Sequence, residues 1–191
     1  MNDFPLFPLG TVLFPGGLLP LRIFETRYVD MVGRCLRSGE VFGVVLLQSG
    51  TEIAGEVATA AIGTSARIVD FQTLPDGLLG LLCRGERRFR ILTRHMRPDR
   101  LHCASIEWLA EAAPVPILEE FQPLVPVLRE VLANIGPMGR FLEPHYEDSG
   151  WVGYRYAELL PIEPTHQQRL LELADPSECL RTLAPMIEVR P

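Results

Sequence analysis

Leu19-Pro20-Leu21-Arg22-Ile23-Phe24-Glu25-Thr26-Arg27-Tyr28 is the stretch on which the fold of this chain turns. Its first half is apolar chain punctuated by proline, which supplies no amide to a ladder and so confines the segment to short strands, edges and turns. The same texture runs upstream through Pro5, Pro8, Gly10, Pro15, Gly16 and Gly17. Its second half opens a helix: Tyr28, Met31, Val32, Cys35 and Leu36 fall at i, i+3, i+4, i+7 and i+8, an amphipathic stripe. Thr26 is placed to cap it and Ser38-Gly39 to end it, which predicts a helix near 26–37.

Working outward, Val41 to Leu47 is an apolar run of strand length. Ala66 to Leu74, the turn signal Pro75-Asp76-Gly77 and Leu78 to Arg84 read as a hairpin. Arg87 to Met96 and Leu101 to Leu109 read as two further strands. In the last, Ala104, Ile106 and Trp108 alternate with Cys103, Ser105 and Glu107. Beyond Ala113 the period becomes helical. Leu118, Phe121, Leu124, Leu128, Val131 and Ile135 keep it, with Pro123 and Pro126 expected to kink or break the helix. Trp151 to Leu160 resumes it, Pro164 suits a first helical turn, and Asp175-Pro176-Ser177-Glu178 resembles a capping box. The expectation is an α+β chain, with a strand-rich lobe over 1–113 and a helical lobe over 114–191.

The 191 residues are 47% hydrophobic and 22% charged, an ordinary globular balance. Acids outnumber bases 24 to 18, a net charge of −6, which disfavours a general nucleic-acid binder. The sequence contains no lysine. Schiff-base chemistry, a P-loop lysine and a serine–lysine dyad are therefore excluded within it. Residues 1–110 hold 11 acids and 12 arginines, whereas 111–191 hold 13 acids and 6 arginines, a shift that suggests two surfaces of different character. The four cysteines, at 35, 83, 103 and 179, show no zinc spacing and read as buried thiols of a cytoplasmic protein. No basic leader and no membrane-length apolar run is visible.

Ordered motifs carry a resemblance. Phe4-Pro5-Leu6-Phe7-Pro8-Leu9, Val12-Leu13-Phe14-Pro15-Gly16, and the run from Leu19 to Tyr28 resemble the amino-terminal, substrate-binding domain of Lon proteases. Phe42-Gly43-Val44-Val45-Leu46, Gly63-Thr64-Ser65-Ala66-Arg67-Ile68, Leu74-Pro75-Asp76-Gly77, Arg84-Gly85-x-x-Arg88-Phe89-Arg90-Ile91, Leu159-Leu160-Pro161 and Gln167 to Leu171 follow in the family's order. Thr26 stands where the family has proline, and Gln167 where it has lysine. The resemblance implies a PUA-like β-barrel lobe followed by a helical lobe. It also implies a non-catalytic module that binds unfolded or extended polypeptide, with a protease or chaperone as a further partner and self-association open. The family's ATPase and peptidase domains have no counterpart here: no G-x-x-x-x-G-K-[ST] occurs. No cofactor is expected.

Two features are candidate sites. Phe14, Leu18 and Leu19 combine apolar side chains with neighbouring prolines, and could hold an extended peptide on an exposed rim. The other reading closes the barrel core with them. Arg84, Arg87, Arg88, Arg90, Arg94, Arg97 and Arg100 form a ribbon. Strand alternation puts Arg88, Arg90 and Arg94 on one face, suited to RNA or an acidic partner. The other reading pairs them with acids of the C-terminal lobe. His95, His102, Cys103 and Cys83 lack metal-ligand spacing, so no metal is expected. Cys83–His95 and Cys103–His145 are the nucleophilic pairs that a small hydrolase would need.

Overall fold

The computed structural model describes residues 3–48 and 58–187. The chain forms two compact units that divide at Ala110 and Glu111. In the first, β1 (Phe4–Leu9), β2 (Leu18–Ile23), α1 (Thr26–Ser38), β3 (Phe42–Leu46), β4 (Ile62–Thr73), β5 (Leu79–Met96) and β6 (His102–Trp108) follow in order. β5 joins β4, β4 joins β3, β3 joins β1 in parallel, β1 joins β6, and β6 returns to β5. Five strands thus close on themselves, and β2 lies on the first half of β5.

β5 is one strand of 18 residues, not the two that a break between Arg84 and Arg87 would make. An extra residue on β5 at Gly85–Arg88 is absorbed where β4 steps from Thr64 to Ala66. There the Ser65 hydroxyl donates to the Arg87 carbonyl at 3.2 Å and accepts the Arg87 amide at 3.0 Å. The ladder continues through the irregularity because a side chain completes it.

Two apolar clusters use the two faces of β3. Phe42 and Val44 join Phe7, Leu81, Cys83, Cys103 and the inner stripe of α1, namely Tyr28, Met31, Val32 and Cys35. Each such side chain contributes about 2 kcal/mol on burial. Val45 joins Leu6, Phe89 and Ala104 in the second cluster. The Phe89 ring lies over Gly43 and Gly63, where a Cβ would come closer than 3.0 Å. α1 ends on Gly39 at φ 70°, donating its amide to the Cys35 carbonyl at 2.9 Å. Its start differs from expectation: Glu25 takes the N-cap position and Thr26 is the first helical residue.

The second unit contains α2 (Leu124–Ala133), α3 (Ser149–Leu159), α4 (Pro164–Leu171) and α5 (Ser177–Leu183). The expected break falls at Pro123, where a short 3₁₀ turn over Glu119–Phe121 gives way to α2, whereas Pro126 falls in the first turn of α2, where an amide would have no helical acceptor, and does not break it. α3 is buried on every side from Ser149 to Ala157. Asp148 caps it, accepting from the Gly150 and Trp151 amides at 3.1 and 3.3 Å, a cap the sequence reading did not include. Within α3, Arg155 is 1% exposed and pairs with Glu158, itself 25% exposed, at 2.9 Å. Burial pushes the Glu158 carboxyl up to about 7 against the pull of Arg155.

Two substitutions test these constraints by urea denaturation. Gly85→Ala is expected to lower stability by about 2 kcal/mol or more, because its Cβ would meet the Phe14 carbonyl. Glu158→Ala should cost about 2–3 kcal/mol by removing the carboxylate paired with the buried guanidinium, less than for a fully enclosed pair because Glu158 is partly solvated. An unchanged midpoint in either variant would contradict the corresponding contact.

Candidate functional site

The turn before β2 carries the side chain expected on an exposed rim, and the structure buries it. Phe14 is 0% exposed, so it cannot contact a partner without leaving the core. The cause is backbone docking. Gly16 donates to the Gly85 carbonyl at 2.8 Å, Gly85 donates to the Gly17 carbonyl at 2.9 Å, and Gly17 donates to the Phe14 carbonyl at 3.0 Å. Leu18 and Leu19 are half-buried, with Leu19 packed on the core.

The apolar opening lies a few residues further along. A groove of about 400 Å³ runs between β1 and β2, lined by Phe7, Pro8, Leu9, Pro20, Leu21 and Phe24 among others. Phe24 is 71% exposed beside it. Tyr28 also lines it, stacked on Phe7 with ring centroids 4.1 Å apart. The groove borders two unpaired strand edges. Among the described residues β2 pairs only with β5, and β1 from Leu6 onward pairs only with β3. Pro8 and Pro20 each remove a donor from these edges, which protects them from indiscriminate pairing.

The quoted stretch also builds one end of the groove. Arg27 pairs with Glu25 at 2.6 Å, donates to the Arg100 carbonyl at 2.9 Å and lies over the Tyr28 ring at 4.8 Å. Arg100 is at φ 63° in the turn between β5 and β6. Arg27 therefore ties the start of α1 to that turn. Phe24, the most exposed large apolar residue of the site, was missed by the sequence reading. Its signal was an aromatic side chain just ahead of the helix cap.

The arginine ribbon does not present the expected face. Arg90 pairs with Ile62 and Glu107 in register, whereas Arg94 pairs with Ala104. Residues directly opposite share a face, so Arg94 lies on the Ile91–Ala104 side and Arg90 on the other. The cause is an extra residue of β5 between Ile91 and Thr93, which reverses the alternation. Arg88 is 8% exposed. Arg90 meets Glu107 at 3.5 Å, and Arg94 donates to the Thr59 and Ala60 carbonyls at 3.0 and 3.1 Å. Arg87 stands over the Trp108 ring at 5.1 Å, and Arg97 pairs with Asp3. The acidic partners of Arg90 and Arg97 belong to the first unit itself, not to the C-terminal one.

The thiols offer no poised nucleophile. All four cysteines are buried. Burial pushes Cys83, Cys103 and Cys179 up to about 12 and raises Cys35, whereas a reactive cysteine needs the thiolate. Cys83 and His95 stand twelve residues apart on one strand rising about 3.3 Å per residue, too far to act together. His95 meets Asp3 instead, with Nε2 2.8 Å from Oδ1, and His102 lines the groove.

A closed barrel with an added strand, followed in the chain by a helical unit, places this chain among α+β proteins. The chain belongs to the family described as the ATP-dependent protease La (LON) substrate-binding domain, which matches residues 3–188. It is 28% identical to a Lon protease of Trichlorobacter lovleyi over 184 residues, covering 90% of this chain and 22% of that protein. It is 27% identical to a Lon protease of Treponema pallidum over 177 residues, covering 89% and 20%. The chain thus spans about a fifth of the length of these curated relatives, and the part matched is the substrate-binding domain. Among solved structures, the Lon N-terminal domain protein from Xanthomonas campestris is 35% identical with a TM-score of 0.79, covering 98% of this chain and all of that one. The N-terminal domain of a Mycobacterium avium complex Lon protease shares the fold, with a TM-score of 0.61 at 20% identity and coverage of 96% and 97%.

Thiol burial sets a direct check. In the native chain at mildly alkaline pH, Ellman's reagent should label none of the four cysteines at the rate of a free thiol, and denaturant should release all four. Rapid labelling of one native thiol would contradict the packing described.

Proposed function

We propose that the chain is a non-catalytic module that captures extended, apolar polypeptide segments in the groove between β1 and β2. The observation that carries this reading is the pair of unpaired strand edges facing one apolar groove. An extended segment can donate and accept backbone hydrogen bonds along such an edge while its side chains enter the groove. A helix satisfies its own backbone groups and gains nothing from a free edge. Apolar burial supplies most of the affinity, at about 25 cal/mol per Å², and Phe24 is the exposed anchor. The description of the family as a substrate-binding domain supports the same class of partner. Handing the captured segment to a protease or chaperone of the cytoplasm is the adaptor role this reading implies. No helix among the described residues is long and apolar enough to cross a membrane.

The anionic-partner reading has weaker support, because Arg94 is tied to backbone carbonyls and turned from Arg90.

Fluorescence anisotropy with a labelled, unfolded apolar peptide tests the proposal. Binding is expected, with weak dependence on salt. Phe24→Asp should weaken it about tenfold or more, equal to about 1.4 kcal/mol, with little loss of stability because the side chain is exposed. No binding, or steep salt dependence with loss on Arg90→Ala, would overturn it.

A further inference from the structure

Asp3, His95 and Cys103 bring one carboxylate oxygen, one imidazole nitrogen and one sulfur within 4.8 Å of one another. None of them belongs to the groove. Their meeting is a product of topology. His95 and Cys103 are direct register partners on β5 and β6, so their side chains share a face. Asp3 immediately precedes Phe4 and Pro5, which pair with Ala104 and Cys103. The extra residue of β5 between Ile91 and Thr93 is also required. Without it, His95 would point to the side of Phe89 and Ile91.

We propose that these three residues form a binding site for a thiophilic divalent cation of the zinc type, with solvent in the fourth position. The donor set is the one zinc accepts in proteins: thiolate sulfur, imidazole nitrogen and carboxylate oxygen. Calcium and magnesium would need six or more oxygens, which these residues cannot give. Cys103 is buried, whereas Asp3 and His95 reach the surface, so the ion has an entry path and a sulfur shielded from water. The remaining oxygen of Asp3 is held by Arg97, an outer contact that orients a ligating carboxylate.

Binding requires no redox step. The cation displaces the thiol proton of Cys103, which leaves to solvent. The contact between Asp3 Oδ1 and His95 Nε2 at 2.8 Å gives way to two bonds to the metal. Nε2, which donates to Asp3 in the metal-free chain, gives its proton to solvent, and Nδ1 takes one up, so the imidazole stays neutral. The carboxylate and thiolate balance the two charges of the ion. The bound metal joins the residue ahead of β1 to β5 and β6, so it stabilises the folded barrel by mass action.

The test uses the full chain without a histidine tag. Zinc binding is followed by calorimetry, and cobalt(II) replaces zinc as a spectroscopic probe. The expected result is one ion per chain at micromolar metal, a higher thermal midpoint with zinc, and a thiolate-to-cobalt charge-transfer band. Cys103→Ala should abolish the band. His95→Ala, at an exposed position and checked for native circular dichroism, should bind at least about tenfold more weakly. Absence of binding to the wild-type chain, a band that survives Cys103→Ala, or undiminished binding by folded His95→Ala would each overturn the assignment.

Discussion

The approach of the Phe14–Gly17 turn to Gly85 is the contact on which the rest of the first unit depends. Two amide–carbonyl bonds, Gly16 to Gly85 at 2.8 Å and Gly85 to Gly17 at 2.9 Å, fix the turn at the middle of β5. A side chain at residue 85 would collide with the Phe14 carbonyl. With the turn fixed there, β2 must run along residues 79–84, and the second half of β5 is left to β6. β2 then ends with a free edge near β1. The groove, its exposed Phe24 and the closed barrel beside it all descend from that placement.

The same contact explains how much of the site could be read from the sequence. α1 was legible because its stripe and Gly39 are local signals, and its predicted span of 26–37 lies within one residue of Thr26–Ser38. The order of strands before helices was legible from the change of period near Ala113. Phe14 was not. A phenylalanine beside Pro15-Gly16-Gly17 has the composition of a rim, and its burial is decided by a glycine about seventy positions away in the chain. Phe24 was passed over because only the free edges of two strands reveal the opening beside it.

The arginines show a second limit. Alternation assigns faces correctly from Arg88 to Ile91, where the period of two holds. It fails at Arg94 because one added residue on β5 reverses the pattern, and no local signal distinguishes Leu92 as the residue to add. The same reversal brings His95 beside Cys103, so an error in one place and an omission in another have a single cause. Metal-ligand spacing could not have indicated the cluster either, since its three members lie at positions 3, 95 and 103 on separate elements.

Binding through the strand margin, without chemistry at a covalent bond, fits a barrel whose thiols are buried and whose matched region is the substrate-binding part of much longer proteins. Backbone hydrogen–deuterium exchange, with and without a saturating unfolded apolar peptide, tests that claim most directly. The account predicts new protection confined to residues 6–9 and 18–24, the edges of β1 and β2 and the adjoining Phe24. Protection over 87–97 instead, or none at either edge while the peptide is bound, would contradict it.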